Sequence, residues 1–397
     1  MMVPERPTLE RRVLAALDGS AGGGPRIPVV LGGCGTGRTS LLLRLRDLIG
    51  RNQAQYIDVE RVATTPERFL QALRSSSPFP PVAGYGTGAG NEPGARDAFD
   101  ATLALLDTAR APGTSPATFL LDEFLELRTF ESFPGLRTVL RDLLGALASS
   151  GNRFVLTTRY ASRAHRLLRD APSRFEIIHV APLTAAEVRA TLPGTHAADH
   201  ARGAGELDDD VERQRDELAR LVQALSDGRP SYARAIAETA TSLAGRAAAD
   251  PVSALAALLA PGGALAHTCR FSYELRLHRA RGYGALKAIL EVLAQEEPLT
   301  LTEIAQRLRR TPGSTKDYLS WLEDVDLIVS RQKRYAFADP MLRLWVRLHC
   351  HAVPPSEDDV TRELHDYVMT RLPHAEPSLA MAAPLEQAKY SGIIEID

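Results

Sequence analysis

The residues best suited to chemistry lie in a glycine-rich segment at positions 28–45, PVVLGGCGTGRTSLLLRL. This segment joins an apolar, strand-like run to an amphipathic helical pattern and fits the spacing G-x-x-x-x-G-[KR]-[ST]. In such a turn, successive backbone N–H groups point inward, and the positive end of the following helix dipole adds to them. We therefore expect the segment to bind a nucleoside triphosphate through Gly32, Gly33, Cys34, Gly35, Thr36, Gly37, Arg38, Thr39 and Ser40.

Two positions at the end of this loop decide its chemistry. Thr39 is expected to place its hydroxyl on Mg²⁺, and Arg38 stands where the pattern normally has the lysine that reaches the β- and γ-phosphates. Arginine binds phosphate through two N–H groups, whereas lysine acts as a point charge, so the exchange keeps the attraction but can misplace the charge during hydrolysis. Only four of the 47 basic residues are lysines, so a general drift towards arginine also accounts for Arg38. A glycine-rich turn that binds nothing is the alternative.

A second candidate motif is ATFLLDEF at 117–124, an apolar strand that ends in two carboxylates. Asp122 is expected to hold Mg²⁺ through water, and Glu123 is expected to polarise the attacking water. Both tasks need a carboxylate beside the terminal phosphate. The alternative is a solvated acidic strand end.

Two further segments complete the candidate site. RFVLTTRY at 153–160 is another apolar run, and it ends at Arg159, a candidate sensor of the terminal phosphate. SDGRPSYARAI at 226–236 contains Gly228 and Pro230, and a proline there fixes the start of the helix that follows.

The elements that must position these residues alternate along the chain. After the phosphate loop, strand-like runs at 53–59, 117–124, 153–160 and 174–180 alternate with helical patterns at about 38–50, 97–111, 135–149 and 162–169. This alternation predicts an α/β core with a mostly parallel sheet and ligands at the carboxyl ends of its strands. The segment 75–95 is rich in Gly, Pro and Ser and predicts a mobile surface insertion, with or without a specific role.

Composition excludes several classes of protein. A chain of 397 residues with 44% apolar residues is large enough for two or three globular domains, and its apolar runs are too short and broken to cross a bilayer. We expect no secretion signal, no membrane partner and a cytoplasmic location. The net charge of −2 gives no global attraction to nucleic acid. Three widely spaced cysteines predict neither disulfide nor zinc site, Cys34 is expected to be a small packed residue, and the histidines lack metal-ligand spacing.

The C-terminal part has the pattern of a winged helix-turn-helix. Three helical patterns follow Gly282, and two short β runs joined at Arg331–Arg334 come after them. We expect Thr302 to cap the second helix and Pro312 to begin the third, whose exposed start would enter a DNA major groove. The candidate contacts with duplex DNA are Arg310, Ser314, Thr315, Lys316, Arg331, Lys333 and Arg334. A module that only packs and switches is the alternative, since acidic residues dilute the basic face.

With these motifs in this order, the chain resembles P-loop ATPases of the AAA+/STAND group, most closely archaeal-type ATPases with a C-terminal winged helix. The resemblance covers about residues 8–350 and implies ATP and Mg²⁺ as cofactors, a Walker B pair at Asp122 and Glu123, and a sensor-1-like segment ending at Arg159. In that group, the Gly-x-Pro segment, here Gly228–Pro230, contacts the base or ribose and couples the nucleotide to the next subdomain. The departures are Arg38 and the lack of an identifiable arginine finger, which bear on hydrolysis and assembly.

The implied organisation is a P-loop ATPase core at 1–182, a helical lid at 183–280, a winged helix at 281–340 and a C-terminal helical extension at 341–397. A Leu-Thr turn at the start of the lid places Thr184 as a helix cap. Three functions fit this organisation. One is a DNA-associated or regulatory ATPase. The second is a STAND-like signalling scaffold in which nucleotide controls self-association through the ATPase core or binding of a protein partner, with little or no hydrolysis. The third is a protein that binds nucleotide for stability and never hydrolyses it. The C-terminal extension shows no metal-binding pattern of a nuclease, so we expect no nuclease activity.

Overall fold

The first structural unit is a sheet of five parallel strands. A computed structural model describes residues 6–20, 24–80, 94–192, 207–244, 249–280, 282–351 and 353–372, so most of the predicted insertion and residues 373–397 lie outside the described part. The strands follow the order β2-β3-β4-β1-β5, and every neighbouring pair is parallel. Their bounds are β1 Ile27–Leu31, β2 Ala54–Asp58, β3 Thr118–Asp122, β4 Arg153–Thr158 and β5 Phe175–His179. The four predicted strand runs are therefore confirmed.

Helices cover both faces of this sheet because its strands are apolar on both sides. Val30, Leu120 and Val155 pack with α2 on one face, while Phe119 and Phe154 belong to the main core on the other. A 3₁₀ segment, Phe124–Ser132, follows β3 directly. The helices of this unit are α1 Pro7–Asp18, α2 Arg38–Ile49, α3 Val59–Val62, α4 Pro66–Ser75, α5 Ala95–Thr108, α6 Val139–Ser149 and α7 Ala161–Leu168.

A helical unit follows the sheet and shares its main hydrophobic core. It begins with the predicted cap, since the Thr184 hydroxyl accepts a hydrogen bond from the Glu187 backbone N–H and the Glu187 carboxylate accepts one from the Thr184 backbone N–H. Tyr232, Ile236, Leu255 and Leu259 are among its buried side chains. Its helices are α8 Ala185–Thr191, α9 Leu207–Ser226, α10 Pro230–Ala244, α11 Pro251–Leu259 and α12 Ala264–Arg279.

The next elements form the predicted winged helix, and the predicted fold class is confirmed. A three-stranded antiparallel sheet of order β6-β8-β7 packs with three helices. Gln332 and Lys333, both with positive φ, make the two-residue turn of the wing. The elements are α13 Tyr283–Gln295, β6 Leu299–Thr300, α14 Leu301–Arg307, α15 Pro312–Asp324, β7 Ile328–Arg331 and β8 Arg334–Phe337.

One predicted cap in this module is wrong. The hydroxyl of Thr300, rather than that of Thr302, accepts the hydrogen bond from the Glu303 backbone N–H, and the Glu303 carboxylate completes the capping box. The helix begins at Leu301, directly after the short strand β6, so Thr302 already lies within its first turn.

Two final helices tie the winged helix to the helical unit. Asp339 caps α16, Pro340–His349, by accepting hydrogen bonds from the Met341 and Leu342 backbone N–H groups. The last helix, α17, spans Glu357–Arg371 and packs on α16 and α11. Within the described ranges, no single helix is both long and apolar enough to cross a membrane. Two consecutive helices pass that test only when they are taken together, and they are bent by 52° relative to each other: Pro251–Leu259 and Ala264–His278.

Candidate active site

The phosphate loop lies at the carboxyl end of β1, between β4 and β5. Gly35 and Gly37 have φ values of 76° and 89°, a region that L-residues with side chains rarely adopt. At Gly32, a Cβ atom would lie 2.6 Å from the Thr36 hydroxyl oxygen, which itself donates a hydrogen bond to the Gly33 carbonyl. The loop therefore requires its glycines, and α2 begins at Arg38 as the sequence pattern predicts.

The two predicted magnesium ligands are neighbours at this edge of the sheet. The Thr39 hydroxyl donates a hydrogen bond of 2.6 Å to Asp122 Oδ2, at the end of β3. Tyr56 donates to the same oxygen over 3.1 Å, and the Thr157 hydroxyl donates to Asp122 Oδ1. Burial and the nearby Asp122 raise the pKa of Tyr56 well above its ordinary value. Tyr56 is a site residue that sequence reasoning missed, since only the pairing of β2 with β3 brings it here.

Glu123 lies between the two predicted arginines. Arg38 contacts Glu123 Oε1 and donates a 2.6 Å hydrogen bond to the Gly33 carbonyl, while Arg159 Nε lies 3.0 Å from the same carboxylate oxygen. Arg159 also contacts Glu60. Glu123 is 5% exposed and has a φ of 55°, so the carboxylate is held in a strained backbone position away from solvent.

Electrostatics keep this carboxylate ionised. Burial alone would raise the pKa of Glu123, but Arg38, Arg159 and the Arg159 backbone N–H more than offset that effect and hold the pKa below its usual range. The pKa of Arg159 is raised, because the nearby carboxylates of Glu123 and Glu60 outweigh the lowering effect of its burial. Glu123 is therefore an ionised candidate base, but in this structure its carboxylate is paired with the guanidinium groups of Arg38 and Arg159.

The helical unit closes over the loop through the Gly-x-Pro segment. Gly228, with φ 61°, accepts a 2.7 Å hydrogen bond from the Leu183 N–H, and the ring of Pro230 approaches Gly37. Arg229 donates to the Cys34 carbonyl over 3.0 Å, and the Ser231 backbone N–H donates to the Gly35 carbonyl. Of the two predicted residues, Pro230 thus lies beside the phosphate loop, whereas Gly228 contacts Leu183 at the start of the helical unit. Their neighbours Arg229 and Ser231 carry the direct contacts, although sequence reasoning did not single them out.

Two buried polar atoms at this loop, Arg38 Nε and Ser231 Oγ, have no hydrogen-bond partner among the described residues. Arg276 Nε is a third such atom, on the side chain that hydrogen-bonds the Asp326 carbonyl. Ser231 Oγ lies so close to Gly35 that a Cβ there would be 2.2 Å away. Buried donors without partners are costly, and an anion that accepts their hydrogen bonds removes that cost. Together with the glycine-lined loop and the Thr39–Asp122 pair, they fit a nucleotide phosphate and its divalent cation.

The winged helix also reaches this loop. Asp326, in the turn between α15 and β7, places Oδ2 3.6 Å from the position that a Cβ of Gly33 would take. Its backbone carbonyl accepts a 2.7 Å hydrogen bond from Arg276 of α12. Burial raises the pKa of Asp326 to about 6, even though Arg276, Arg229 and Arg38 act in the opposite direction. Two residues earlier, at the end of α15, Asp324 pairs with Arg163 and Arg166 of α7.

The predicted DNA-contact residues lie on a different part of the winged helix, around the start of α15 and the wing. All but one are exposed: Arg310, Ser314, Lys316, Arg331, Lys333 and Arg334. Arg334 also hydrogen-bonds the Pro298 carbonyl and lies 3.7 Å from Glu303. Thr315, predicted at the exposed start of the helix, is instead fully buried, because its position faces the module's core and its hydroxyl donates to the Thr311 carbonyl.

Comparison with solved structures finds the Walker-type ATPase PABY2304 of Pyrococcus abyssi, with a TM-score of 0.60 and 17% identity over 87% of this chain and 96% of that one. The Orc1 protein of Aeropyrum pernix, in complex with DNA, has a TM-score of 0.42 and 17% identity over 94% and 95% of the two chains. Drosophila ORC bound to DNA has a TM-score of 0.38 and 13% identity over 82% and 90%.

No protein-family model and no curated protein matches the sequence. The likeness to the Pyrococcus protein extends over nearly the whole of both chains, and at its low identity it concerns the fold. It agrees with the parallel sheet, the glycine-lined loop after β1 and the acidic end of β3. The chain therefore has the fold of the Walker-type ATPase of Pyrococcus abyssi, and the resemblance predicted from its sequence is confirmed at the level of the fold.

Proposed function

We propose that this protein binds ATP with Mg²⁺, hydrolyses it, and uses the nucleotide state to control the position of its winged helix. The observation that carries the proposal is that Arg38 Nε and Ser231 Oγ, which lie at a glycine-lined loop, are buried without partners among the described residues. Donors arranged in this way suit an anion that bridges the ATPase core and the helical unit.

The residues around the loop would have different chemical roles. Thr39 and Asp122 would hold the cation, which supplies charge neutralisation on the phosphates when bound. Glu123 would orient and polarise a water molecule, provided that its carboxylate is released from Arg38 and Arg159. A terminal phosphate is also an anion, so it offers both arginines an alternative to the Glu123 carboxylate. Binding of the triphosphate and release of Glu123 are thus coupled in this proposal.

Coupling to the winged helix would pass through Asp326 and Arg229. Arg229 bridges the Cys34 carbonyl, the Ala338 carbonyl and, at 3.3 Å, the Asp339 carboxylate, so it joins the phosphate loop to the start of α16. Asp326 adds a negative charge beside the loop. Phosphates and the Asp326 carboxylate repel each other, so the bound nucleotide favours movement of the winged helix away from the loop.

Duplex DNA is the partner that we propose for the exposed basic residues of the wing and of α15. Arg331 and Lys333 form the tip of a two-stranded wing, and Lys316 lies at the exposed start of α15. These charges suit contacts with phosphates, which would make binding strongly dependent on salt.

A signalling scaffold is the second candidate, and the docked position of the winged helix favours it. Asp324 pairs with Arg163 and Arg166 of the core, and Asp326 faces the phosphate loop. A module held against its own core in this way can release an assembly surface when the nucleotide changes. In that case nucleotide would promote self-association or binding of a protein partner, with slow hydrolysis or none.

ATP turnover with and without duplex DNA distinguishes the two functions. We expect wild-type turnover to rise when DNA is added, and Glu123→Gln to lower turnover about 100-fold or more while retaining ATP binding. Arg331→Ala with Lys333→Ala should abolish the DNA effect, whereas Arg51→Ala, an exposed substitution on the core, should leave it unchanged. Nucleotide-dependent oligomers without any DNA effect would favour the scaffold, and turnover unaffected by Glu123→Gln would contradict the proposed role of Glu123.

A further inference from the structure

A cleft on the parallel-sheet unit has no role in the proposed function. It lies between α6, α7 and the 3₁₀ segment after β3, and its volume is about 530 Å³. Within the described ranges, its lining includes no residue of the phosphate loop. Pockets that hold small molecules have volumes of roughly 300–1,000 Å³. Four arginines line this space, which we call the arginine cleft: Arg128, Arg141, Arg163 and Arg166.

The arginine cleft carries an excess of positive charge. Its four arginines face two lining carboxylates among the described residues, those of Glu131 and Asp170, so two positive charges remain. Glu131 lies 3.2 Å from Arg128, whereas Arg141 is exposed and has no ion-pair partner in the described part of the chain. Cations gathered in this way attract an anion.

Arg163 is the most buried of the four arginines, and its hydrogen bonds are incomplete. Its Nε atom is buried without a hydrogen-bond partner among the described residues, and Asp324 Oδ2 lies 3.8 Å away, beyond hydrogen-bonding distance. Burial and the neighbouring Arg128 lower the pKa of Arg163, although Asp324 acts in the opposite direction. A bound anion would offset both the burial of this guanidinium and its repulsion by Arg128.

Part of the wall of the arginine cleft is apolar. The side chains of Leu125, Leu140 and Leu144 belong to it and are buried. Arginine binds phosphate through two parallel N–H groups, and a phosphate monoester carries about two negative charges at pH 7. An inorganic anion would leave the apolar wall uncovered. The lining therefore favours an organic molecule that carries a phosphate group.

The winged helix contacts the same arginines. Asp324, at the end of α15, pairs with Arg163 and Arg166. A second cavity, of about 610 Å³, shares Arg128 and Arg163 with the arginine cleft and is lined on its other side by Trp321 of the winged helix. An anion that binds Arg163 and Arg166 therefore competes with the ion pairs that hold α15 against α7.

We propose that the arginine cleft binds a phosphorylated small molecule, and that this ligand releases the winged helix from the core by competing with Asp324 for Arg163 and Arg166. Binding at the cleft does not depend on a nucleotide at the phosphate loop, so this proposal stands apart from the proposed function. If both hold, the nucleotide and the second ligand act on the winged helix from two separate sites.

Calorimetric titration of the full-length protein with phenyl phosphate tests the site, since this probe joins a phosphate monoester to an apolar ring. We expect a Kd of about 1 mM or below, unchanged by saturating ATP and Mg²⁺, and at least about fivefold weaker binding of inorganic phosphate. Arg141→Gln should weaken binding of phenyl phosphate at least about fivefold, because it removes an unpaired cation from the cleft. The control is Arg169→Gln, an exposed arginine directly after α7 that does not line the cleft, and it should change nothing.

Competition with Asp324 is tested on the winged helix itself. Asp324→Asn should strengthen binding of phenyl phosphate about threefold or more, because it frees two arginines, whereas the exposed Asp317→Asn on the same helix should not. Release of the module also exposes Trp321, so the probe should shift tryptophan fluorescence to longer wavelength. The only other tryptophan, Trp345, is 4% exposed in the core and gives a constant background.

Several results would overturn the proposal. Folded wild-type protein that does not bind phenyl phosphate at 10 times the expected Kd, about 10 mM, has no such site. Binding that Arg38→Ala abolishes and Arg141→Gln does not would place the probe at the phosphate loop instead. Duplex DNA that binds in place of phenyl phosphate, with a loss in Arg141→Gln, would make the cleft a nucleic-acid surface. Binding of phenyl phosphate by a protein that binds no ATP would support the cleft and contradict the proposed function.

Discussion

At the scale of single residues, Arg38 is the feature that most distinguishes this phosphate loop. Its guanidinium reaches both the Gly33 carbonyl and the Glu123 carboxylate. A lysine has one ammonium group on a flexible stem and cannot reproduce this planar, two-partner contact. Arginine at this position therefore does more than supply positive charge, because it also holds the candidate catalytic carboxylate.

Arg38→Lys should raise ATP turnover by about tenfold while changing ATP affinity less, because Glu123 would lose one of its two guanidinium partners and still keep Arg159. Steady-state kinetics and a binding titration separate the two effects. Arg38→Ala is the matched control and should weaken ATP binding, since it removes the charge altogether. Lower turnover in Arg38→Lys with unchanged affinity would mean that Arg38 promotes hydrolysis rather than restraining Glu123.

The residues of the site divide into those that the sequence reveals and those that it does not. Asp122, Glu123 and Thr39 were predicted because each ends or begins an element at a recognisable spacing. Arg276 and Tyr56 were missed because only packing brings α12 and β2 to the loop. Thr315 was predicted to be exposed but is buried. The sequence shows where the helix begins, but not which face of that helix packs against the core of the module.

At the scale of elements, the Gly-x-Pro turn connects the phosphate loop of the parallel-sheet unit to the helical unit. Gly228 has a positive φ, and a Cβ there would lie 2.7 Å from the Leu183 carbonyl oxygen and from Pro182 Cβ. The position therefore excludes a side chain for two independent reasons, namely backbone conformation and lack of space.

Gly228→Ala should lower the free energy of unfolding by about 1–3 kcal/mol, since both the strained backbone and the contact with Leu183 oppose the added methyl group. Denaturant unfolding measures this change. The control is Gly145→Ala in α6, where a Cβ meets nothing within 4 Å, so the substitution should stabilise the helix by up to about 1 kcal/mol. Equal effects at the two glycines would show that the Gly-x-Pro turn carries no strain.

Element types were easier to predict than element starts. The parallel strands were predicted because both faces of the sheet are covered, which leaves continuous apolar runs in the sequence. The cap at Thr300 was not predicted because the short strand β6, only two residues long, places the helix start earlier than the helical pattern suggests. Strand β6 exists only because it pairs with β8, and the two strands are far apart in the sequence, so the local pattern does not reveal it.

At the scale of the whole molecule, the turn after α15 brings the winged helix to the phosphate loop. Asp326 is partly buried beside the loop, and the Arg276 side chain holds its backbone carbonyl rather than its carboxylate. The carboxylate can therefore be neutralised without removing that hydrogen bond.

Asp326→Asn should stabilise the docked protein by about 1–3 kcal/mol above pH 7 and have little effect below pH 4. Burial raises the pKa of Asp326 to about 6, so the folded state keeps a proton that the unfolded state loses, and wild-type stability falls as pH rises through this window. Urea unfolding at several pH values measures the difference between the two proteins. A difference that does not change with pH would contradict burial of the charged carboxylate.

Asp359→Asn provides a control of opposite sign. Hydrogen bonds from Ser356 and Arg362 lower the pKa of Asp359 to about 2, so its contribution to stability is present above about pH 4 and is lost as pH falls through the folded pKa. This substitution should therefore destabilise the protein at neutral pH and have no effect under strongly acidic conditions.

A calorimetric titration with ATP and Mg²⁺ tests the central claim most directly, namely that the phosphate loop is a nucleotide site. We expect ATP and ADP to bind, AMP to bind at least about 100-fold more weakly, and Thr39→Ala to lose the effect of Mg²⁺ on ATP affinity, because the loop recognises the β- and γ-phosphates and the Thr39 hydroxyl lies beside Asp122. Folded wild-type protein that binds AMP as well as ATP, or neither of them at millimolar concentration, would contradict the account.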